Sequence, residues 1–572
     1  MKKFFVLISM MTMFATGAMK AQTARYDIVP LPRSIVQQQA PGFVLSEKTA
    51  IVYADGLEKE ARFLNEYVQE MTQMKLPVRP FAKKSDARGN ILLSIAVPDK
   101  KKVVAEPNEE AYTIDVTAKG VAISGQTAAA VFRGVQTLRK SLPIVKNCCK
   151  KAHSDCKKEA AEGKKSKVEA ETAQVVLPAV KIADEPRFAY RGMHLDCSRH
   201  YFPAEFVKRF IDLIALHGMN KFHWHITDDQ GWRFESKKYP KLTSIGGWRS
   251  GTVVGRNSGI DDGIRHGGFY TQEECRDIVR YAADRHITII PEIDMPGHMV
   301  AALAAYPEYG CTGGPYEVEH TWGVFADVLC PGKEQTFKFV EDVLSEVIDV
   351  FPSEYIHIGG DECPRDRWKT CHLCQQRIKN EGIKGEGKQT AEDHLQGYFT
   401  KRVEKFLHTK GKRLIGWDEL LGCDVDVTST IMSWRGAEPG AKAAKLGHDV
   451  IMTPNSPMYF DHYQTDKTNN EPLSIGGNSP VAKVYAFEPV AADLTPEEAK
   501  HILGVQANVW TEYIYSTQHV EYQILPRMAA LAEVQWLQPD QKDFDAFKER
   551  VTRLKAIYDL NQWRVAQHLF KK

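Results

Sequence analysis

Apolar and polar residues alternate strictly through "AYTIDVTAKGVAISG" (residues 111–125) on both sides of Lys119 and Gly120, a pattern that predicts a β-hairpin turning at those two positions. The period then lengthens. Residues 127–142 carry Val131, Val135 and Leu138 on one helical face, and residues 57–71 form a second amphipathic stretch. This first part reads as a small α/β domain, and no chemical constellation stands out in it.

Beyond residue 177 short β-branched runs alternate with longer amphipathic stretches. Strands are predicted at 190–196, 221–227, 287–294, 354–360, 413–417, 430–434, 449–453 and 504–510. Helices are predicted at 206–216, 272–284, 335–351 and 394–408. Repeated strand–helix units of this number predict an α/β fold whose main body is a (β/α)₈ TIM barrel, with chemistry at the C-terminal ends of its strands. Residues 543–569 read as a closing helix with Phe547, Val551, Leu554 and Ile557 in a stripe.

The expected organisation is a signal peptide at 1–21, the small α/β domain at 22–180, the barrel at 181–540 and a C-terminal helix at 541–572 packed on the barrel. Lys2 and Lys3 precede an uncharged stretch ending on small residues near Ala21, the pattern of an export signal. A periplasmic or secreted chain without a membrane span follows as an expectation. An insert at about 146–174 holds Cys148, Cys149, Cys156 and His153 among many lysines. A metal clip is conceivable there, but the lysines repel a cation, and a solvated loop is the better reading.

With 43% hydrophobic residues and a net charge of +2, the chain can fill a large core and has no electrostatic bias toward nucleic acid or membrane surfaces. Function must therefore come from a site. The predicted strands end on Asp196, Asp228 and Asp229, Asp294 with His298, Asp361 and Glu362, Trp417 and Asp418, Trp434, and Trp510 with Glu512. Acids and indoles sharing one rim suit sugars, which offer C–H faces to rings and hydroxyls to acceptors.

The motifs "YRGMHLDCSRHY", "HWHITDDQGWR", "EIDMPGH", "HIGGDE", "GWDE", "SWRG", "YFD" and "VWTE" occur in the order in which family 20 glycoside hydrolases, the β-N-acetylhexosaminidases, carry similar ones. The first part, with "FRGVQTLR", also resembles the small domain preceding the barrel in that family, whereas the cysteine-bearing insert departs from it.

The resemblance implies removal of terminal, non-reducing, β-linked N-acetylglucosamine or N-acetylgalactosamine, with no cofactor and no metal. Family 20 is an exception to the usual scheme of two separated carboxylates, because the substrate's own 2-acetamido oxygen attacks the anomeric carbon. That explains two adjacent acids. By resemblance Glu362 is the general acid and base, expected to have a raised pKa, and Asp361 orients the acetamido group. Gly359 and Gly360 would permit an irregular strand exit. Asp228 and His298 form a relay to the acid, and Tyr459 holds the acetamido oxygen. Arg191, Asp461 and Glu512 bind ring hydroxyls, and Trp417, Trp434 and Trp510 line the pocket.

Two other readings are open at this stage. His223 and His225 make an H-x-H on a strand, which with Asp294 and His298 could mark a metal-dependent amidohydrolase. A non-catalytic sugar-binding barrel is the other. Eleven cysteines leave at least one unpaired. Cys311 and Cys330 bracket a loop and are expected to bridge. Cys371 and Cys374, in "CHLC", could form a second bridge or half a zinc site, and Cys363 is a packing residue.

Overall fold

A computed structural model describes residues 22–96, 108–145 and 174–570. The expected signal peptide and nearly all of the insert, including Cys148, Cys149, His153 and Cys156, lie outside the described residues.

The first domain is built on a seven-stranded sheet. Its hairpin pairs Tyr112–Thr117 with Gly120–Gly125, Thr117 opposite Gly120, so the turn falls at Ala118 and Lys119, one residue earlier than expected. Helix Ala128–Ser141 starts at Thr127, whose side chain accepts from the Ala130 N–H, satisfying a backbone donor that has no partner inside the helix. Nearly every residue of this helix is buried, because one face meets its own sheet and the other meets the barrel. Strand Val180–Asp184 pairs with Ser34–Gln37 and Tyr112–Thr117. The boundary therefore falls after Asp184, since a cut at 180 would sever a strand from its sheet.

All eight predicted barrel strands are present and close into one parallel barrel, the first, Tyr190–Asp196, pairing with the eighth, Ile502–Ala507. The intervening strands are Lys221–His225, Thr288–Glu292, Tyr355–His357, Arg413–Trp417, Thr430–Ser433 and Val450–Met452. Inward residues alternate along each strand as the pleat requires. Tyr190, Ile290, Tyr355, Ile415, Met432 and Ile451 fill the lower interior beneath Trp417.

The upper interior is polar. The Glu292 carboxylate accepts from the His225 Nδ1 at 2.5 Å and the Trp417 Nε1 at 3.0 Å, and nitrogens of His223 and His357 lie 3.0 Å from it. His223 and His225, two apart on one strand, both point inward and are fully buried. The terminal helix ends earlier than predicted, spanning Phe544–Leu560, and buries Phe547, Val551, Leu554 and Ile557. Its Arg550 pairs with the buried Glu533 at 2.7 Å.

Candidate active site

The fourth barrel strand stops at His357, and the chain turns through two left-handed glycines, Gly359 (φ 64°) and Gly360 (φ 95°). A Cβ on Gly359 would lie 1.8 Å from Asp294 Oδ1, so only glycine fits against that carboxylate. Asp294 in turn accepts from the Gly360 N–H at 3.3 Å. Asp294 thus supports the turn from beneath and does not line the pocket.

Beyond the turn, Asp361, Glu362, Trp417, Trp434, Tyr459, Asp461, Trp510 and Glu512 line one pocket of about 280 Å³ at the C-terminal ends of the strands. That is the small end of the range for ligand pockets. A larger cleft of about 680 Å³ lies at the opposite end, among strand-start residues such as Lys221, Thr288 and Tyr355. It offers no comparable gathering of acids and indoles.

Within the pocket, Asp361 Oδ1 and Asp461 Oδ1 are buried carboxylate oxygens with no hydrogen-bond partner in the protein. Burial and the nearby Glu292 and Glu362 charges push the Asp361 carboxyl up to about 6, despite the opposing pull of His298. Burial, then Glu512, raises Asp461 well above the usual range. Acceptors held this way are costly unless a ligand brings N–H or O–H donors.

His298 sits behind the acids. Its Nδ1 lies 3.0 Å from Asp229 Oδ2 and 3.3 Å from Asp228 Oδ1. Its Nε2 lies 3.6 Å from Glu362 Oε2 and 3.7 Å from Asp361 Oδ2. Burial opposes its charge, but Asp228 and the hydrogen bonds that its ring N–H groups donate to the acids around it raise its pKa well above the ordinary imidazole value. The relay thus has Asp229 as well as Asp228 at its base. His298 (φ 53°) and Glu362 (φ 45°) are both left-handed, a cost of about 1–3 kcal/mol each for a non-glycine residue that the surrounding packing must sustain. The raised pKa expected for Glu362 is not observed: hydrogen bonding by His298 holds it below the usual carboxylate range, and the side chain is partly exposed.

Arg191 is a correction. It lies near the start of the first strand, at the end remote from the pocket, and alternates outward between the inward Tyr190 and Gly192. Fully buried, it donates to Glu110 at 2.5 Å and to the Phe188 and Gly218 carbonyls, tying the barrel to the small domain. The arginine in the pocket is Arg199, three residues past the strand's end. Its backbone N–H and its guanidinium both bond Asp196, and its Nη2 pairs with Asp228 at 2.7 Å. The guanidinium lies over the Trp510 ring, 5.1 Å from its centroid. Burial opposes its charge, but Asp228, Glu512 and Asp196 raise its pKa well above the normal value.

Sequence reasoning also passed over Asn455, His462 and the segment 475–477, which line the pocket. Glu419 was missed too: its Oε2 accepts from the Trp434 Nε1 at 3.0 Å, and burial, then Asp361, pushes its pKa up to about 7. Trp417 is anchored by Glu292 beneath, and Trp434 runs nearly parallel to Tyr459, at 14°. The H-x-H histidines do not reach the pocket, which removes the geometric basis of the amidohydrolase reading.

The expected Cys311–Cys330 bridge is a second correction. All eight described cysteines are free, and Cys330 lies 3.5 Å from Cys374 and 3.8 Å from Cys371, while Cys311 lies 3.7 Å from Cys374. The 371–374 turn inserts between the two loop ends, so each sulfur faces several others. Cys363 is buried, as a packing residue should be.

A closed parallel barrel with a small pocket of acids and indoles at its strand ends, preceded by a small α/β domain, defines a protein of the glycoside-hydrolase type. The chain belongs to glycosyl hydrolase family 20: the family's catalytic domain matches residues 188–539 and its domain 2 matches residues 25–184. It is 41% identical over 555 residues to a β-hexosaminidase of Porphyromonas gingivalis, covering 95% of this chain and 65% of that protein. To a β-hexosaminidase of Vibrio furnissii it is 39% identical, covering 64% of this chain and 59% of that protein. It thus spans less than two thirds of either relative. The solved structure of the family 20 β-N-acetylhexosaminidase of Streptomyces coelicolor A3(2) superposes with a TM-score of 0.76 at 30% identity, covering 95% of this chain and 97% of that one.

Proposed function

We propose that this protein is an exo-acting β-N-acetylhexosaminidase that releases terminal β-linked N-acetylglucosamine or N-acetylgalactosamine with retention of configuration. The observation that carries this is the adjacency of Asp361 and Glu362 in one small pocket, with Asp361 Oδ1 buried and unpartnered. The acetamido N–H supplies the donor that oxygen lacks. Held by Asp361, with Tyr459 on its carbonyl oxygen, the group turns that oxygen onto the anomeric carbon. The C–O bond to the aglycone breaks as Glu362 protonates the departing oxygen, and a cyclic oxazolinium forms. Glu362 then takes a proton from water as the water opens the ring.

Below about pH 6 the two acids hold one proton between them. The charges around Asp361 favour the proton there, whereas departure of the aglycone needs it on Glu362. Substrate reverses that preference, since an N–H bonded to Asp361 favours its ionised form and an aglycone over Glu362 takes that carboxyl out of water. Arg199, Asp461 and Glu512 at the closed end engage ring hydroxyls, which limits the enzyme to one terminal sugar at a time.

The reading is tested with aryl β-glycosides of both N-acetylhexosamines and a thiazoline inhibitor. Hydrolysis of either, blocked by the thiazoline, supports it. Turnover of neither by folded protein would leave the sugar-binding alternative. Export, with cleavage near Ala21, is part of the proposal and rests on the residue pattern at 1–21. The N-terminal mass of the mature protein tests it. Among the described residues no helix is long and apolar enough to cross a membrane.

A further inference from the structure

Four cysteines from two separate loops converge beside the active site, in a part of the molecule the reaction does not use. Cys311 and Cys330 come from the segment after the third barrel strand, and Cys371 and Cys374 bracket the start of helix His372–Asn380. The four sulfurs all lie within 4.8 Å of one another, with separations of 3.5, 3.7 and 3.8 Å among the closest pairs. Thiolates around one zinc ion at about 2.3 Å each sit about 3.8 Å apart along the edges of a tetrahedron. The arrangement does not sort into two couples, because Cys374 neighbours both Cys311 and Cys330, and Cys330 neighbours both Cys371 and Cys374. We propose that Cys311, Cys330, Cys371 and Cys374 form a structural zinc site.

The surroundings fit a bound thiolate cluster. Gly332, two residues after Cys330, rests so closely on the other turn that a Cβ there would lie 2.5 Å from the Cys374 nitrogen and 2.4 Å from the Leu373 carbonyl carbon. Two backbone turns are thereby locked face to face, each presenting sulfur to the same point. The Gly332 N–H donates to the Cys330 sulfur, a bond that favours the thiolate. Cys371 and Cys374 stand at a helix N-terminus, where the peptide dipoles favour negative charge. Val328, Cys363, Trp368, Ile378 and Leu395 pack around the cluster, and the Trp368 Nε1 donates to the Leu329 carbonyl at 3.0 Å, fixing one loop against the other. Four sulfur ligands with no open position make a closed, structural site.

Its consequence is mechanical. Cys363, which packs in this cluster, immediately follows Glu362, and the segment holding Cys311 and Cys330 follows His298. One ion therefore staples together the two loops that carry His298 and the Asp361–Glu362 pair, whose relative position the proton relay requires. Both loops also bear left-handed non-glycine residues, whose strain needs such support.

The test uses full-length mature protein purified without chelator or reductant. Elemental analysis is expected to find about one zinc per chain, and zinc-edge absorption spectroscopy four sulfur neighbours at about 2.3 Å. Alkylation after denaturation in EDTA without reductant is expected to label all four cysteines as thiols. Cys374→Ser should lose the zinc and lower the melting temperature, whereas replacing Cys148, Cys149 and Cys156 together by serine should leave the zinc in place. Zinc that follows the latter three cysteines, iron in place of zinc, these four cysteines recovered as two disulfides, or four free thiols without metal would each overturn the proposal. The spectroscopy and the alkylation are read on the unaltered chain, so failure of the Cys374 variant to fold does not shield the idea.

Discussion

Exchanging the roles of two arginines eight residues apart gives a prediction of opposite sign for each. Arg199 lines the pocket and is held rigid by Asp196 and Asp228, so its free N–H groups are ready for sugar hydroxyls. A hydrogen bond to a charged group is worth about 1.5–3 kcal/mol, so Arg199→Met should lose on the order of 100-fold in kcat/KM if one strong contact or two weaker ones go. Asp196, Asp228 and Glu512 would also face one another without their cation, which makes that figure a lower bound. Arg191→Met breaks instead a buried pair with Glu110, which keeps Arg133 at 2.8 Å as a second partner. Breaking buried pairs costs about 3–5 kcal/mol, enough to lower the melting temperature of a chain this long by about 3–4 °C, while kcat/KM of the folded fraction stays at the parent value. The assay is an aryl N-acetylglucosaminide at low substrate concentration, paired with thermal unfolding by circular dichroism. Normal activity in Arg199→Met together with a collapse of activity in well-folded Arg191→Met would refute the placement of both residues.

Further predictions concern the acids. Glu362→Gln should lose on the order of 10²–10⁴ in kcat on a glycoside with a poor leaving group and far less on an activated aryl glycoside that departs without a proton, a contrast measured by comparing the two substrates. Asp361→Asn should lose on the order of 10²–10³ in kcat with little change in KM, because its charge matters most as the acetamido nitrogen becomes electron-poor. The proton that Glu362 delivers rests on Asp361 in the free enzyme, where the carboxyl is raised to about 6, so kcat/KM should fall as pH rises through about 6 and that limb should move to lower pH in the asparagine variant. Glu110 is held down to about 2, against burial, by Arg191 and Arg133. Its contribution to stability is therefore full above the unfolded carboxylate value near ~4.3 and is lost as pH falls toward 2, and Glu110→Gln should flatten that part of the melting-temperature profile.

Every barrel strand was legible because a buried parallel strand is a short apolar run with clear borders, and Tyr190–Asp196 and Arg413–Trp417 match to the residue. The pocket acids and indoles were legible for a related reason, since chemistry in this fold sits where strands end. The same rule, applied more strictly, separates the two arginines: Arg191 precedes the strand's middle and alternates out of phase with His194 and Asp196, whereas Arg199 follows its end. Asn455, His462 and the 475–477 segment were invisible because they come from irregular chain, although the long stretch between Met452 and Ile502 was itself a sign of function. The Glu362 pKa was misjudged because His298 approaches from another loop, a contact that no local pattern encodes. The cysteine cluster was half visible, since "CHLC" shows its own pair but not the loop 41 residues away that meets it.

The central claim is that the substrate's amide oxygen, not a protein carboxylate, attacks the anomeric carbon. Its most direct measurement compares kcat/KM for an aryl 2-acetamido-2-deoxy-β-glucoside with that for the same aryl β-glucoside bearing a 2-hydroxyl. The account predicts efficient cleavage of the first and no enzyme-dependent cleavage of the second. Comparable rates on both would contradict it.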